Sequence, residues 1–183
     1  MCGITGAIWT NPESSVGQDT LRRMTDVLRH RGPDERGTYI SDFKLRSPYD
    51  SMPGVALGHR RLSIIDIAGG VQPMSNEDQT VWLVFNGEIY NHRALRSRLE
   101  GAGHRFKSHS DTEVIIHLYE DEGVRCFEHL NGMFALAIWD ARNRRLVLGR
   151  DRLGQKPLVY CQQADSLLFA SELKSLLQLP EVS

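Results

Sequence analysis

Two pairs of apolar runs in the second half of the chain limit the folds that this sequence can adopt. The run "MFALAIWD" is joined by the polar "ARNR" to "RLVLGRD", and "KPLVYC" is joined by "QQAD" to "SLLFAS". Apolar runs around a short polar turn are typical of β-hairpins, so each pair predicts two antiparallel strands. Residues 134–139 are apolar at every position. This pattern indicates a strand that is covered on both faces.

The earlier segments alternate between strand and helix periodicity. We predict strands over residues 3–9, 55–57, 62–66 and 81–85, and helices over 19–30, 91–99 and 112–122. Ser110 or Asp111 is the expected cap of the last helix, with Glu113 in its first turn. The polar stretch 41–54 lacks periodicity and is predicted to be a surface loop. Antiparallel strands with grouped helices indicate an α+β layered sandwich within one domain, residues 1–183.

Composition excludes several classes of function. The chain has 40% hydrophobic and 25% charged residues, which is ordinary for a globular domain, and its formal net charge is −1. Such a charge gives no electrostatic reason to expect binding to nucleic acid or to an anionic membrane. No apolar stretch approaches the roughly 18 residues of a membrane span, and the N-terminus lacks a signal-peptide pattern. We therefore expect a cytoplasmic protein.

The cysteines and histidines do not form a recognisable metal or disulfide pattern. The three cysteines, Cys2, Cys126 and Cys161, are too widely spaced for a zinc knuckle or a disulfide framework. Cys126 and Cys161 are expected to be plain buried thiols. The seven histidines form neither an H-E-x-x-H helix nor a zinc spacing with cysteine, so we predict no metal site.

Cys2 directly follows the initiator methionine, and two interpretations are open. In the first, a buried thiol happens to precede the apolar first strand. In the second, Met1 is removed and Cys2 becomes an N-terminal nucleophile. A thiol with a pKa of about 8.5 needs activation at neutral pH, and a freed α-amine with a pKa of about 7.7–8.0 can act as its base. Gly3 suits this role because it crowds neither the sulfur nor the attacked carbonyl.

Other motifs supply the groups that attack on an amide requires. Asn86 has a side-chain NH2 and Gly87 an unobstructed N–H, a pair suited to an oxyanion, although Asn-Gly is also a common hairpin turn. Arg61 heads an apolar strand and Asp111 heads a helix. A guanidinium and a carboxylate together could hold the zwitterionic end of an amino acid. The alternatives are a solvated strand end for Arg61 and a helix cap for Asp111.

With these residues assembled, the chain resembles the glutaminase domain of class II glutamine amidotransferases with an N-terminal nucleophile. Within that class it is similar to the N-terminal part of glutamine-hydrolysing asparagine synthetases. The resemblance covers almost the whole chain and rests on nine segments in order, which are "MCGITG", "LRHRGPDERG", "HRRLSIID", "QPM", "FNGEIYNH", "HSDTEVI", "LNGMFALAIWD", "GRDRLGQKPL" and "ASELKSLL".

The resemblance implies a four-layer αββα sandwich of antiparallel sheets, the N-terminal nucleophile hydrolase fold, and hydrolysis of L-glutamine to glutamate and ammonia. In this reaction Cys2 attacks the side-chain amide while its own α-amine moves the proton. The resemblance also implies an oxyanion hole formed by Asn86 and Gly87. The α-carboxylate of glutamine would be bound by Arg61 and its α-amine by Glu88 and Asp111. Backbone contacts with the substrate would come from Leu62, Ile64 and Ile65, and Arg31 would have a supportive role.

The resemblance also implies what this chain lacks. It ends where the similar proteins continue into a synthetase domain, and no phosphate-binding "SGG" loop is present. We expect no cofactor in this domain, with ATP and magnesium needed only by a synthetase domain supplied in cis or as a separate chain. A homodimer is compatible with these expectations. The remaining alternatives are a catalytically silent regulatory or interaction module, an amidotransferase domain that serves another acceptor, and an acylase for other amides.

Overall fold

A computed structural model of the protein describes residues 1–47, 50–62, 69–180 and 182. Eleven strands and four α-helices lie in these ranges. In chain order they are β1 (Gly3–Trp9), α1 (Gln18–Asp26), β2 (Glu35–Ser41), β3 (Lys44–Ser47), β4 (Asp50–Met52), β5 (Gly54–Arg61), β6 (Met74–Ser75), β7 (Val81–Ile89), α2 (His92–Gly101), α3 (Glu113–Glu122), β8 (Gly132–Asp140), β9 (Arg145–Arg150), β10 (Val159–Gln162), β11 (Ser166–Ala170) and α4 (Leu173–Leu176).

The chain divides into two compact units. The N-terminal unit comprises Met1–Leu62 and Pro157–Ser183. Its five-stranded antiparallel sheet has the order β10-β11-β1-β5-β2, so the first strand of the chain lies in the middle. Helix α1 packs against β1 and β5 and buries Leu21 and Met24 in a core with Trp9. The residue that precedes β1 is thereby held at one end of a central strand.

The central unit comprises Ser63–Lys156 and has its own sheet in the order β6-β7-β8-β9. Side chains alternate across β7, and Leu83, Phe85 and Ile89 join the core with α2 and α3. Residues 134–140 of β8 are all buried, as the apolar run predicts. The opposite face of β7 therefore carries the even-numbered residues 82, 84, 86 and 88.

Most of the predicted elements are confirmed. Both predicted hairpins are present, β8 with β9 and β10 with β11, and the fold class is α+β with antiparallel sheets. The first helix ends at Asp26 rather than at residue 30, because the N–H groups of Leu28, Arg29 and Arg31 make i to i−3 hydrogen bonds, which are typical of turns. The predicted strand over 62–66 lies outside the described residues from position 63 onward.

The prediction of an irregular loop over 41–54 is wrong. Within the described part of this stretch, β3 and β4 pair as an antiparallel hairpin with a register shift between Leu45 and Ser47. The stretch has few apolar residues and no strict alternation, so periodicity did not indicate strands. Strand pairing is made by backbone hydrogen bonds, which do not require an apolar alternation.

Among the helices that the structure describes, none has the length and apolar composition needed to cross a membrane.

A buried ion cluster anchors α3 in the central unit. His117 donates from Nδ1 to Glu120 Oε2 at 2.9 Å, and Glu113 accepts from the N–H groups of Lys107 and Ser108 at 2.8 Å each. Although burial opposes its charge, the two glutamates beside it raise the pKa of His117 to about 9. The hydrogen bonds to Glu113 lower the pKa of that carboxyl to about 2, against the effect of burial. His117 is therefore an imidazolium at neutral pH.

The charge of His117 predicts a pH-dependent loss of stability. A histidine whose pKa is higher in the folded state stabilises fully below its unfolded value, about 6.5, and loses that contribution as pH rises through the folded value. We expect the free energy of unfolding of the wild type to exceed that of His117→Gln at pH 6. The difference should shrink by pH 9.5. Urea denaturation of both proteins at the two pH values measures it, and a difference that stays constant would contradict the assignment.

Candidate active site

Cys2 lies directly before β1, next to the first pair of that strand with β5, Gly3 with Arg60. Its sulfur accepts a hydrogen bond from the Leu62 N–H at 3.4 Å. A Cβ at position 3 would lie 3.0 Å from Leu28 Cβ, closer than ordinary side-chain contacts. Glycine at position 3 therefore lets the chain pack tightly against the turn after α1. The first strand is a rigid support for the thiol.

Arg31 contacts the backbone of Cys2. Its Nε donates to the Cys2 carbonyl at 2.9 Å, and its Nη1 donates to Glu172 Oε1 at 2.9 Å. The backbone of Arg31 lies in a turn, which is held by the hydrogen bond from the Arg31 N–H to the Leu28 carbonyl. The supportive role predicted for Arg31 thus corresponds to a direct contact with the backbone of the expected nucleophile.

Arg61 is the last residue of β5 and is only 4% exposed, so it is not a solvated strand end. Its Nη1 donates to Glu35 Oε2 at 2.8 Å, across the pair that joins β2 to β5. Leu62 follows and contacts the Cys2 sulfur. Ile64 and Ile65, which the resemblance assigns to backbone contacts with the substrate, lie outside the described residues.

The surroundings of Cys2 keep its thiol protonated. Burial raises its pKa, and this effect exceeds the opposing effects of the Leu62 N–H, of the terminal ammonium and of the guanidinium groups of Arg61 and Arg31. A neutral thiol is a poor nucleophile, so attack by Cys2 requires a base that accepts its proton. The free α-amine that would follow removal of Met1 is attached to the same residue.

Asn86 and Gly87 do not form a turn. Both lie within β7 and pair in register with Ala135 and Phe134 of β8. The side chain of Asn86 is on the face of β7 opposite the helices and is 1% exposed. Among the described residues, its buried Nδ2 has no hydrogen-bond acceptor. A buried amide donor without a partner costs free energy and is a candidate for binding a ligand.

The N–H of Gly87 is directed away from β8. The N–H groups of Phe85 and Ile89 point to this edge, because they donate to Gln72 Oε1 at 2.6 Å and to Asp111 Oδ2 at 2.9 Å. Strand alternation places the N–H of Gly87 between these two. A Cβ on Gly87 would lie 2.2 Å from the Met133 carbonyl, so only glycine fits this backbone position.

Asp111 accepts from the Ile89 N–H instead of capping α3, whose N-cap is Thr112. The expectation that Ser110 or Asp111 caps the helix is therefore wrong, although Ser110 Oγ accepts from the N–H of the N-cap residue Thr112 at 3.1 Å. Asp111 is 5% exposed, and burial together with the nearby Glu88 carboxylate raises its pKa. Two carboxylates that repel each other form a favourable site for an ammonium group.

The expected site residues thus lie in two groups. The N-terminal unit contains one group, Cys2, Arg31, Arg61 and Leu62. The central unit contains the other, Asn86, Gly87, Glu88 and Asp111.

Sequence reasoning missed three residues whose side chains hold these groups in place, Glu35, Gln72 and Glu172. Gln72 and Glu172 stand in the segments "QPM" and "ASELKSLL", but no local periodicity indicates which backbone or side chain they contact.

One cluster in the described ranges has ligand atoms close enough for a metal ion, that of His104, His117 and Glu120. His117 already donates to Glu120 and is protonated at neutral pH, whereas a metal ligand must be a neutral imidazole. His104 Nε2 donates to Asp121 Oδ1 at 2.9 Å. These contacts favour an ion-pair network over a metal centre.

The two other cysteines differ from Cys2. Cys126 is fully buried, and burial with the nearby Glu122 charge raises its pKa to about 12, so it remains an unreactive thiol. Cys161 lies in β10 and is partly exposed, which differs from the expectation of a buried thiol. Its neighbours in the sheet include Leu168 of β11.

Comparison with known proteins places this geometry in a family. The chain is 41% identical over its whole length to asparagine synthetase [glutamine-hydrolyzing] 3 of Bacillus subtilis and 38% identical over 96% of its length to asparagine synthetase B of Escherichia coli. It spans 28% and 30% of the length of these relatives. Among solved structures, glutamine phosphoribosylpyrophosphate amidotransferase of B. subtilis shares the fold, with a TM-score of 0.73 at 24% identity over 96% of this chain and 43% of that chain.

The sequence model of the glutamine amidotransferase domain matches residues 1–183. The match includes both groups of site residues and all three of the sheets described above. The chain therefore belongs to the glutamine amidotransferase domain family.

Proposed function

We propose that this chain hydrolyses L-glutamine to glutamate and ammonia through a thioester on Cys2. After removal of Met1, the α-amine of Cys2 takes the thiol proton and the sulfur attacks the side-chain amide carbon. Collapse of the tetrahedral intermediate breaks the carbon–nitrogen bond, and the proton held by the amine leaves with ammonia. Water, deprotonated by the same amine, then attacks the thioester carbon, the carbon–sulfur bond breaks to release glutamate, and the amine returns its proton to the Cys2 sulfur.

The observation that supports this proposal most strongly is the buried Nδ2 of Asn86, which lacks an acceptor among the described residues. An amide donor that is held in place before the substrate binds needs no reorganisation when negative charge develops on the attacked oxygen. Gly87 would supply the second donor through its N–H. Together they form the oxyanion hole of the proposed reaction.

The charged residues account for selection of an amino acid substrate. Arg61 would bind the α-carboxylate, and its contact with Glu35 orients the guanidinium. Glu88 and Asp111 would bind the α-ammonium, and a bound cation would favour ionised Asp111. Leu62, Ile64 and Ile65 would add backbone contacts. An amide without the zwitterionic end would lose both charged interactions.

The acceptor of the ammonia is proposed from the relatives. The two curated relatives described above are named as glutamine-hydrolysing asparagine synthetases, and each is more than three times as long as this chain. We propose that the ammonia passes to a synthetase domain, in cis or in a separate chain, that uses ATP and magnesium to amidate aspartate. A cytoplasmic location forms part of this proposal, because that reaction draws on soluble ATP and amino acids.

Replacement of the nucleophile tests the reaction. We expect Cys2→Ala to abolish glutamate formation from glutamine, because no thioester can form. Cys161→Ala, which removes another partly exposed thiol of the same unit, should retain wild-type activity. Glutamate is measured by a coupled dehydrogenase assay, and intact mass establishes that Met1 has been removed. Equal glutamate formation by Cys2→Ala and the wild type would contradict the proposal.

Replacement of the oxyanion donor should act on the chemical step. We expect Asn86→Ala to lower kcat for glutamine about 100- to 1000-fold with a smaller change in KM, the usual effect of losing one oxyanion donor. Asn131→Ala, at an exposed position before β8, is the matched control and should leave kcat unchanged. Steady-state kinetics measure both variants, and a rise in KM without a fall in kcat would assign Asn86 to ground-state binding instead.

The pH dependence tests the amine as base. Protonation of the α-amine below about pH 7–8 should lower kcat/KM, because the protonated amine cannot accept the thiol proton. The profile is recorded between pH 5 and 9 on protein whose mass shows the loss of Met1. A profile that is flat down to pH 5 would exclude the amine as base.

A further inference from the structure

Glu172 is a charged residue near Cys2 to which the proposed mechanism gives no role. It follows β11 and precedes α4, and its side chain is 26% exposed. Three nitrogen groups contact its carboxylate: Arg31 Nη1 at 2.9 Å, His30 Nε2 at 3.0 Å and Lys174 Nζ at 3.0 Å. Although burial raises the pKa of Glu172, the hydrogen bonds from Arg31, Lys174 and His30 together outweigh it and lower the pKa to about 2. The carboxylate is ionised throughout the pH range of any glutaminase assay.

The contacts of Glu172 lead to Cys2 in one step. The Arg31 guanidinium that donates to Glu172 through Nη1 also donates to the Cys2 carbonyl through Nε. A guanidinium is planar and rigid, so fixing one nitrogen fixes the direction of the others. The Arg31 side chain is only 9% exposed, and its Nη2 has no acceptor among the described residues. Without Glu172, the bond to the Cys2 carbonyl would be the one hydrogen bond left to this side chain among the residues that the structure describes.

The neighbouring residue binds the same strand. The Ser171 N–H donates to the Ile4 carbonyl at 2.8 Å, and Ser171 Oγ accepts from the Ile4 N–H at 3.0 Å. Ser171 and Glu172 therefore restrain positions 4 and 2 of the chain, one directly and one through Arg31. The sulfur and the α-amine of Cys2 both branch from the Cα that is bonded to this carbonyl, so a restraint on the peptide plane limits the positions that both can take.

We propose that Glu172 is a positioning residue for the N-terminal nucleophile, which acts through Arg31 to hold the Cys2 peptide in the orientation that attack requires. This inference rests on the proposed glutaminase function for its catalytic readout. Glu172 follows β11 and lies about 170 residues after the nucleophile in the sequence, so a distant part of the chain controls the geometry of Cys2.

Kinetics of three variants test the proposal. Glu172→Ala should lower kcat for glutamine about 10- to 100-fold with KM within about twofold, the scale expected for misplacing a reacting group. Glu172→Gln keeps an oxygen acceptor for Arg31 and should recover part of the lost kcat. Lys174→Ala removes another cation from the same carboxylate but leaves the Arg31 contacts, and it should behave as the wild type.

Two kinetic results would overturn the proposal. One is wild-type kcat in Glu172→Ala. The other is an equal loss of kcat in Lys174→Ala, which would indicate a general effect of the ion cluster on the fold. Thermal unfolding of both variants is measured in parallel, and similar melting temperatures together with different kcat values support positioning.

Alkylation separates a failure of this inference from a failure of the proposed function. Iodoacetamide labelling of Cys2 and Cys161 is followed by peptide mass spectrometry in the same sample, which requires no glutaminase activity. If Glu172 holds the Cys2 peptide, Glu172→Ala should expose the thiol and raise the rate of Cys2 labelling several-fold relative to that of Cys161. An unchanged ratio would overturn the positioning role, whereas absence of glutamine hydrolysis by the wild type would overturn only the proposed function.

Discussion

The central position of β1 is the constraint on which the N-terminal unit depends. A strand that begins at the third residue would fray if it lay at an edge, but β1 is hydrogen-bonded to β5 on one side and to β11 on the other. The pairing fixes the backbone up to Gly3, and Arg31 extends this restraint to the Cys2 carbonyl. A residue next to the chain terminus, normally a mobile part of a chain, is thereby restrained by strand pairing and by a buried arginine.

The central unit depends on the edge of β7 that faces away from β8, where the pairing among the described residues is short. Beyond the short pairing with β6, the N–H groups of β7 that point away from β8 must find other acceptors. Gln72 and Asp111 accept two of them, from Phe85 and Ile89. The N–H of Gly87 lies between, beside the buried amide of Asn86. In the proposed function, the donors at this edge bind the substrate.

Local pattern was sufficient for the parts of the fold that local interactions decide. The two hairpins, β1 and the helices α2 and α3 follow from apolar periodicity and turn composition. The same reasoning predicted an end for α1 that is four residues too late, and it missed the hairpin of β3 and β4. Turn hydrogen bonds and strand pairing do not depend on apolar spacing, so periodicity could not indicate them. The residues of the candidate site were identified by their chemical types and by resemblance, but their contacts were not.

The sequence by itself determined which groups are available: a thiol at position 2, an amide and a glycine in "FNGE", a guanidinium in "HRRL" and a carboxylate in "HSDTE". Tertiary structure decided what each group contacts. Asn86 and Gly87 lie in a strand rather than in a turn, Asp111 binds the Ile89 N–H rather than capping α3, and Arg61 is buried beside Glu35. The physical reason is separation along the chain. These partners are 22 to 26 residues apart for Asp111 and Arg61 and lie on different elements, so only the packing of those elements brings them together.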